Sequence, residues 1–217
     1  MQAADPDLDN EAAIESGRWL FEQTCTFVIG AVKMDDLPGT DMTEIAFAGR
    51  SNVGKSSLIN ALTNHKDLAH TSNMPGRTQQ VNFFELGGRM MIADLPGYGY
   101  ARAPRETVRQ WTDLVGDYLQ GRPQLRRACL LIDARHGIKE TDREVMTMLD
   151  KAAVSFQAVL TKCDKIKAAE LEKRFKSVND ELATHVAAHP YLIATSSARG
   201  TGLETLRAAL AALAPSR

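Results

Sequence analysis

The chain has 217 residues, a formal net charge of -1, 44% hydrophobic residues and 24% charged residues, a composition that suits one folded domain. The near-neutral charge excludes a polycation that binds nucleic acid over its whole surface, so such contact would need a local basic patch. Three dispersed cysteines without a CxxC pair argue against a disulfide framework or zinc site and predict a reducing, cytoplasmic location. No segment approaches the roughly 20 apolar residues of a membrane span.

The N-terminal part divides into two predicted pieces. Residues 1–17 are acidic and poor in large apolar side chains, which predicts a disordered tail. Residues 18–42, with Trp19, Phe21 and Phe27, are expected to form a short helix and an extended piece packed on the main domain.

From Thr43 to the C-terminus, short apolar runs alternate with amphipathic ones, which predicts one α/β domain over residues 43–217. We expect a mostly parallel six-stranded sheet with one antiparallel hairpin strand, turned at Gly87–Gly88, and helices on both faces. The predicted strands are 44–48, 81–86, 90–93, 128–132, 155–160 and 191–194, and the predicted helices are 55–63, 106–119, 141–152, 168–188 and 202–213.

A glycine-rich segment between the first strand and helix of this domain matches G-x-x-x-x-G-K-[ST]. In a strand–loop–helix setting, its glycines let backbone amides wrap around phosphate groups at the positive end of a helix. We expect Lys55 to reach the β- and γ-phosphates as a catalytic residue and the Ser56 hydroxyl to bind Mg²⁺. The predicted phosphate-binding residues are Gly49, Arg50, Ser51, Asn52, Val53, Gly54, Lys55, Ser56 and Ser57.

A second motif, Asp94-Leu95-Pro96-Gly97, follows the strand 90–93. Asp94 thus lies at a strand's carboxyl end, where ligands bind in open α/β sheets, and it can hold Mg²⁺ through water. The Gly97 amide is predicted to sense the γ-phosphate, which makes Gly97 a candidate catalytic residue.

A third motif predicts the base that is bound. It consists of Thr161, Lys162, Cys163 and Asp164 after a buried strand, and it is similar to the N/TKxD signature of GTPases. The Asp164 carboxylate can accept hydrogen bonds from guanine N1–H and N2–H₂, a donor pair that adenine lacks, while the Lys162 stem packs on the base. This disfavours an ATP-using kinase. The loop Thr195, Ser196 and Ser197 matches the one whose backbone contacts guanine O6.

The polar segment 65–80 lies between the first helix and the hairpin, where a mobile loop could bring a threonine to Mg²⁺ and the γ-phosphate. Thr78 is the favoured threonine, as metal ligand and catalytic residue, and Thr71 is the alternative. The predicted nucleotide-contacting residues of this loop are Gly76, Arg77, Thr78, Gln79 and Gln80.

The segments GRSNVGKSSLINAL, TSNMPGRTQQVNFFEL, DLPGYGYA and TKCD together resemble the EngB (YihA/YsxC) family of bacterial TrmE-Era-EngA-EngB-Septin-like GTPases. The resemblance covers about residue 27 to the C-terminus, and PGRTQ with DLPGYGYA is its most specific part. It implies Mg²⁺-dependent binding of GTP and GDP, slow hydrolysis, a role in assembly of the large ribosomal subunit through its proteins or rRNA, and a need in cell division and septation. We expect a monomer.

Two positions bear on how GTP would be hydrolysed. Ras-like GTPases place a glutamine after DxxG, and this chain has Tyr98, whose phenol cannot orient water as a carboxamide does. Unassisted Ras-type turnover is already on the order of 10⁻⁴ s⁻¹, so we expect slow hydrolysis or help from an ion or partner. Asn52 resembles that of related GTPases that bind K⁺ beside the phosphates. It either helps K⁺ replace an arginine finger or only fixes the loop.

Arginines follow DLPG and the next helix: Arg102, Arg105, Arg109, Arg122, Arg126 and Arg127. They form either an rRNA-contacting surface or ordinary solvated charge. A second functional hypothesis is a nucleotide-dependent binding module of the division machinery whose hydrolysis is incidental.

Overall fold

The structure is a computed structural model that describes residues 10–69, 80–99 and 105–215. The strands of this part are β1 (Cys25–Ala31), β2 (Thr43–Gly49), β3 (Val81–Leu86), β4 (Met90–Asp94), β5 (Leu125–Asp133), β6 (Phe156–Thr161) and β7 (Ile193–Ala194). Its α-helices are α1 (Glu11–Phe21), α2 (Lys55–Leu62), α3 (Arg105–Gly121), α4 (Glu140–Lys151), α5 (Ala168–Leu182) and α6 (Leu203–Ala211).

The strands form one mixed sheet in the order β1-β3-β4-β2-β5-β6-β7. The five strands from β4 to β7 in this order run parallel, while β3 and β1 add antiparallel strands at one edge. Buried side chains of α1, α2 and α6 fill one face of the sheet, and those of α3, α4 and α5 fill the other. The predicted α/β fold with helices on both faces is confirmed.

The parallel strands bring their carboxyl ends to one edge, where the last residues of four strands are Gly49, Asp94, Asp133 and Thr161. Ligands of open α/β sheets bind outside this edge. The β3–β4 hairpin turns through Gly87 (φ 58°) and Gly88 (φ 64°), a left-handed pair that glycine adopts without steric cost. No helix of the described ranges is both long and apolar enough to cross a bilayer.

Within the described residues the sheet has seven strands, so the predicted number of six was wrong. The extended piece near Phe27 is a full strand, β1, because its apolar run CTFVIGA pairs antiparallel with β3 from Cys25 to Ala31. At the other edge, β7 is shorter than predicted. Helix α5 ends at Leu182 because Asp150 accepts hydrogen bonds from His185 Nδ1 (2.7 Å) and Ala187 N (2.9 Å), which fixes the following turn.

The predicted disordered tail was wrong for residues 10–17, and residues 1–9 lie outside the described part. Asn10 caps α1 by accepting a hydrogen bond from Ala13 N at 2.8 Å. The acidic composition concealed a helical apolar stripe whose members pack on the core: Ala13, Ile14, Gly17, Leu20 and Phe21.

Helix α1 crosses α6 at Gly17, where the two backbones nearly touch. A Cβ atom at Gly17 would lie 2.5 Å from Ala208 N and 2.7 Å from the carbonyl carbon of Arg207, both backbone atoms that cannot rotate away. Glycine at this position is therefore what allows the N-terminal helix to pack on the domain.

We expect Gly17→Ala to lower the free energy of unfolding by about 1–3 kcal/mol, because the added methyl group forces the helices apart. Gly39→Ala is the matched control, since a Cβ at Gly39 meets no atom within 4 Å. Urea unfolding of the two variants measures the difference. Equal midpoints would show that α1 is not held against α6 as described.

Candidate nucleotide-binding site

The predicted phosphate loop joins β2 to α2 in a fixed conformation. Gly54, directly before the helix, has φ 104°, and Asn52 has φ 63°, a left-handed conformation that asparagine tolerates. The Val53 side chain is buried and its amide donates to the Arg50 carbonyl at 3.0 Å. The loop thus has the tight, glycine-dependent path that phosphate binding by backbone amides requires.

Lys55 and Asp94, predicted from two separate motifs, are in direct contact. Lys55 begins α2, Asp94 ends β4, and the ammonium group donates to Asp94 Oδ1. Both side chains are largely buried, at 13% and 9% exposure. Ser56 follows Lys55 in the first turn of α2. The predicted phosphate-binding cation therefore contacts one predicted metal-binding residue, Asp94, and the other, Ser56, is its neighbour in the chain.

The DLPG segment lies directly over the phosphate loop. Ser51 N donates to the Tyr98 carbonyl at 2.9 Å, and Tyr98 N donates to the Gly49 carbonyl at 3.3 Å. A Cβ atom at Gly97 would lie 3.3 Å from Ser51 N, closer than most such contacts. Leu95 N continues the pattern by donating to Phe47 O at 3.0 Å. These bonds hold the DLPG segment, which carries Gly97, against the phosphate loop, which leads to Lys55.

Tyr98 points into the protein, where its hydroxyl donates to Asp142 Oδ1 at 2.8 Å. Asp142 is fully buried in the first turn of α4, and it also accepts from Lys139 N at 2.8 Å and lies 3.3 Å from Arg50 Nε. Burial raises the pKa of both Tyr98 and Asp142. The Tyr98 hydroxyl therefore anchors the loop to Asp142. The expectation that the phenol does not orient water stays a prediction.

The predicted base-binding residues form one hydrogen-bonded unit. Asp164 Oδ1 accepts from Ser196 Oγ at 2.7 Å, and Cys163 N donates to the Thr195 carbonyl at 3.1 Å. The hydrogen bond from Ser196, with help from Lys165, lowers the pKa of the Asp164 carboxyl. Asp164 is thereby kept as the ionised acceptor that guanine recognition needs.

This unit is also bonded to the phosphate loop. Thr161 Oγ1 donates to the Val53 carbonyl at 2.7 Å, and Lys162 Nζ donates to the Asn52 carbonyl. Lys162 itself has φ 58°, an uncommon left-handed conformation for lysine that turns its side chain back across the loop. The structure thus brings the predicted phosphate and base motifs together.

Asp133, at the end of β5, is a site residue that the sequence analysis missed. Its Oδ2 accepts from Lys162 Nζ at 3.0 Å and from Arg135 at 2.7 Å. Burial alone would raise the pKa of Asp133, but these hydrogen bonds hold it well below its ordinary range. An acidic residue directly after a buried strand, at the edge that carries Asp94, was the available signal.

Ser57 and Ser197, the remaining predicted contacts, line an open depression of about 420 Å³. Its other lining residues include His65, Lys66, Asp67 and Ala198, none of which the motifs indicated. The depression lies between α2 and the Ser196 loop, so it borders both the phosphate and base sides of the site.

Several predicted residues are not placed by the structure. Thr78, Gly76, Arg77, Gln79, Thr71 and Arg102 lie outside the described residues, and their roles stay predictions. Gln80 lies just before β3 and donates to Asn82 Oδ1 at 2.7 Å. The prediction that Arg122 belongs to a surface charge cluster was wrong. Its side chain is 9% exposed and its guanidinium group donates to Glu44 and to the Pro38 carbonyl.

Comparison with known proteins agrees with this geometry. A family model described as 50S ribosome-binding GTPase matches residues 44–162, and one described as elongation factor Tu GTP binding domain matches residues 112–216. A probable GTP-binding protein EngB of Rhodospirillum rubrum is 63% identical over 207 residues, which cover 93% of this chain and 90% of the relative. The chain belongs to the EngB family of GTP-binding proteins.

Further relatives support the assignment. A probable GTP-binding protein EngB of Cereibacter sphaeroides is 54% identical over 94% of both chains. The crystal structure of a probable GTP-binding protein engB has a TM-score of 0.62 and 25% identity, and covers 79% of this chain and 98% of that one. The resemblance inferred from four sequence segments is confirmed, and with it membership in a family of GTPases.

We expect Tyr98→Phe to lower the free energy of unfolding by about 1–3 kcal/mol, because buried Asp142 loses a donor, and to leave the GTP hydrolysis rate unchanged. Tyr191→Phe is the control, since the Tyr191 hydroxyl has no hydrogen bond with the described residues. Urea unfolding and single-turnover hydrolysis measure the two effects. A large loss of hydrolysis at full nucleotide occupancy would show that the phenol takes part in the chemistry.

Proposed function

We propose that this chain is a Mg²⁺-dependent GTP-binding protein that hydrolyses GTP slowly and acts in assembly of the large ribosomal subunit. The observation that carries the proposal is the convergence of Lys55, Asp94 and Asp164 at one sheet edge. Lys55 contacts Asp94, and the base motif that contains Asp164 is bonded to the phosphate loop through Thr161 and Lys162. Each of the three has a separate proposed role: Lys55 neutralises phosphate charge, Asp94 binds the metal ion, and Asp164 selects the base.

The donor chemistry fits Mg²⁺, a hard cation that prefers oxygen ligands and keeps several waters. Asp94 offers a nearly buried carboxylate and Ser56 a hydroxyl at the start of α2, and Thr78 is proposed to add a third oxygen. When bound, Mg²⁺ would neutralise charge on the phosphate oxygens. Lys55 would then exchange its contact with Asp94 for the β- and γ-phosphates.

Guanine selection is proposed to rest on Asp164. Its Oδ1 atom is positioned by Ser196, and the lowered pKa keeps the carboxylate ionised. The aliphatic part of Lys162 is proposed to cover the base, with the ammonium group held by Asp133. The amides of Ser196 and Ser197 are the candidates for contact with guanine O6.

Hydrolysis is proposed to be slow because the described site lacks a carboxamide in the position after Gly97. Lys55, Gly97 and Thr78 would bind and orient the γ-phosphate, while Tyr98 is engaged with Asp142. Asn52 is exposed and has a left-handed backbone, so it is free to serve either as a K⁺ ligand or as a loop-fixing residue. We propose the K⁺ role.

The ribosomal role rests on the family model for 50S ribosome-binding GTPases. The cytoplasmic location, monomeric state and need in cell division and septation are proposed on the same family ground. The competing hypothesis is a nucleotide-dependent module of the division machinery with incidental hydrolysis. The two differ in whether large ribosomal subunits bind the protein and change its hydrolysis rate.

We expect Asp164→Asn to weaken GTP binding and to shift preference toward xanthosine triphosphate, because an amide can donate to the xanthine O2 that replaces guanine N2–H₂. Competition of both nucleotides against a fluorescent GDP measures the preference. Asp180→Asn, which alters an exposed carboxylate paired with Lys176, is the control. Unaltered selectivity for GTP in the Asp164 variant would refute the assignment.

Large ribosomal subunits should co-sediment with the GTP-loaded protein and raise its hydrolysis rate, because a partner can supply what Tyr98 does not. Small subunits are the control. The same assay in K⁺ and in Na⁺ buffers tests Asn52, and we expect faster hydrolysis in K⁺. No co-sedimentation and no stimulation would favour the division-module hypothesis, and equal rates in both salts would exclude the K⁺ role.

A further inference from the structure

Two loops at the base side of the site carry exposed positive charge that the proposed nucleotide site does not use. They follow the adjacent parallel strands β5 and β6 and span residues 134–139 and 162–167, and the second loop begins with the base-binding residues 162–164. Their cations, together with one from α5, are called the β5–β6 basic surface, which comprises Arg135, Lys139, Lys165, Lys167 and Arg174. Arg174 is half-buried and the other four are exposed.

Contacts between α5 and the loop that follows β5 fix the position of Arg174 on this surface. Arg174, on α5, donates from Nε to the Ala134 carbonyl at 3.0 Å and from Nη2 to the Arg135 carbonyl at 3.4 Å. Its guanidinium passes over Gly137, where a Cβ atom would overlap Arg174 Nη1. Lys139 follows two residues later at the start of α4. Lys167 precedes α5 seven residues before Arg174, which is two turns along one helix face.

The acidic residues of the two loops neutralise part of this charge, because Asp133 pairs with Arg135 and Asp164 pairs with Lys165. Lys139, Lys167 and Arg174 form no ion pair with the described residues. Asp133 is 3% exposed and is shared between Lys162 and Arg135. The Asp164 side chain is 8% exposed; its Oδ2 lies 3.4 Å from Lys165 Nζ, and its Oδ1 accepts from Ser196 Oγ at 2.7 Å. Glu140, which follows Lys139, pairs with Arg143. The acceptors that the described part of the chain offers Arg174 are backbone carbonyls, which carry no net negative charge.

The surface lacks the apolar side chains that a protein partner would bury. Protein interfaces have a core enriched in aromatic and apolar groups, whereas the exposed large hydrophobic residues of the described chain lie elsewhere: Phe27, Val28, Ile29, Val32 and Val186. Phosphodiester backbones, in contrast, are bound chiefly by lysine and arginine with polar and water-mediated contacts. The chain has a net charge of -1, so attraction to RNA must come from a local surface of this kind.

We propose that the β5–β6 basic surface binds the phosphodiester backbone of RNA in the large ribosomal subunit. This inference rests on the proposed function, and it deepens it by naming the contact surface. The surface borders the base side of the nucleotide site, so bound RNA would lie next to the 162–165 loop. The triphosphate, held at Lys55 in the proposed site, uses a different set of cations.

The test compares two double variants of the full-length protein that remove the same charge. Lys139→Gln with Lys167→Gln alters the surface without touching Arg135, which bonds to Asp133. Lys33→Gln with Lys151→Gln alters two exposed lysines outside it. Co-sedimentation with purified large subunits is measured over a series of KCl concentrations, and affinity for fluorescent GDP is measured in parallel.

We expect the surface variant to bind subunits more weakly, with the slope of log affinity against log salt reduced by about 1.5, because each lost phosphate contact removes about 0.7–0.9. The control variant should keep the wild-type slope, and both should keep wild-type GDP affinity. A wild-type slope in the surface variant would overturn this inference alone. Failure of the wild-type protein to bind subunits would overturn the proposed ribosomal role as well. A loss of GDP affinity that parallels the loss of subunit binding would assign the surface to nucleotide capture.

Discussion

The phosphate loop depends on two backbone carbonyl groups that are held from outside the loop. The Val53 carbonyl accepts from the Thr161 hydroxyl at 2.7 Å, and the Asn52 carbonyl accepts from the Lys162 ammonium group. Both donors belong to the segment that follows β6. A carbonyl turned away from the phosphate side leaves the neighbouring amides available to anions, so the base-binding segment sets the shape of the phosphate site.

Two buried carboxylates extend this arrangement to the helices on one face of the sheet. Asp133 holds Lys162 against the loop, and Asp142 joins Tyr98 of the DLPG segment to Arg50 and the start of α4. A buried carboxylate is costly unless its oxygens are hydrogen-bonded, and each of these has several donors. Movement of DLPG would therefore be transmitted to α4 through Tyr98.

Local motifs made much of the fold and site predictable. Lys55, Asp94 and Asp164 were identified because each stands at a fixed place between a strand and a helix, where residue type and position together define the chemistry. Contacts between distant residues are not specified by such motifs, although Asp133 stands at a strand end as Asp94 does. The roles of Asp133 and Asp142 follow from partners that are far apart in the chain or on another element, and the packing of α1 on α6 at Gly17 depends on a helix almost two hundred residues away. The acidic composition of the N-terminal residues concealed helix α1. The pairing of β1 with β3 could not be predicted, because the sequence of β1 does not specify its partner strand.

The central claim is that the base segment shapes the phosphate loop through Thr161, and the affinity of two Thr161 variants for GDP tests it most directly. Thr161→Ser keeps the hydroxyl donor. Thr161→Val keeps the shape of the side chain but removes the donor from the Val53 carbonyl. The account predicts that Thr161→Val weakens GDP binding about tenfold, as loss of a buried hydrogen bond implies, and that Thr161→Ser stays near the wild type. Wild-type affinity in Thr161→Val would contradict the account.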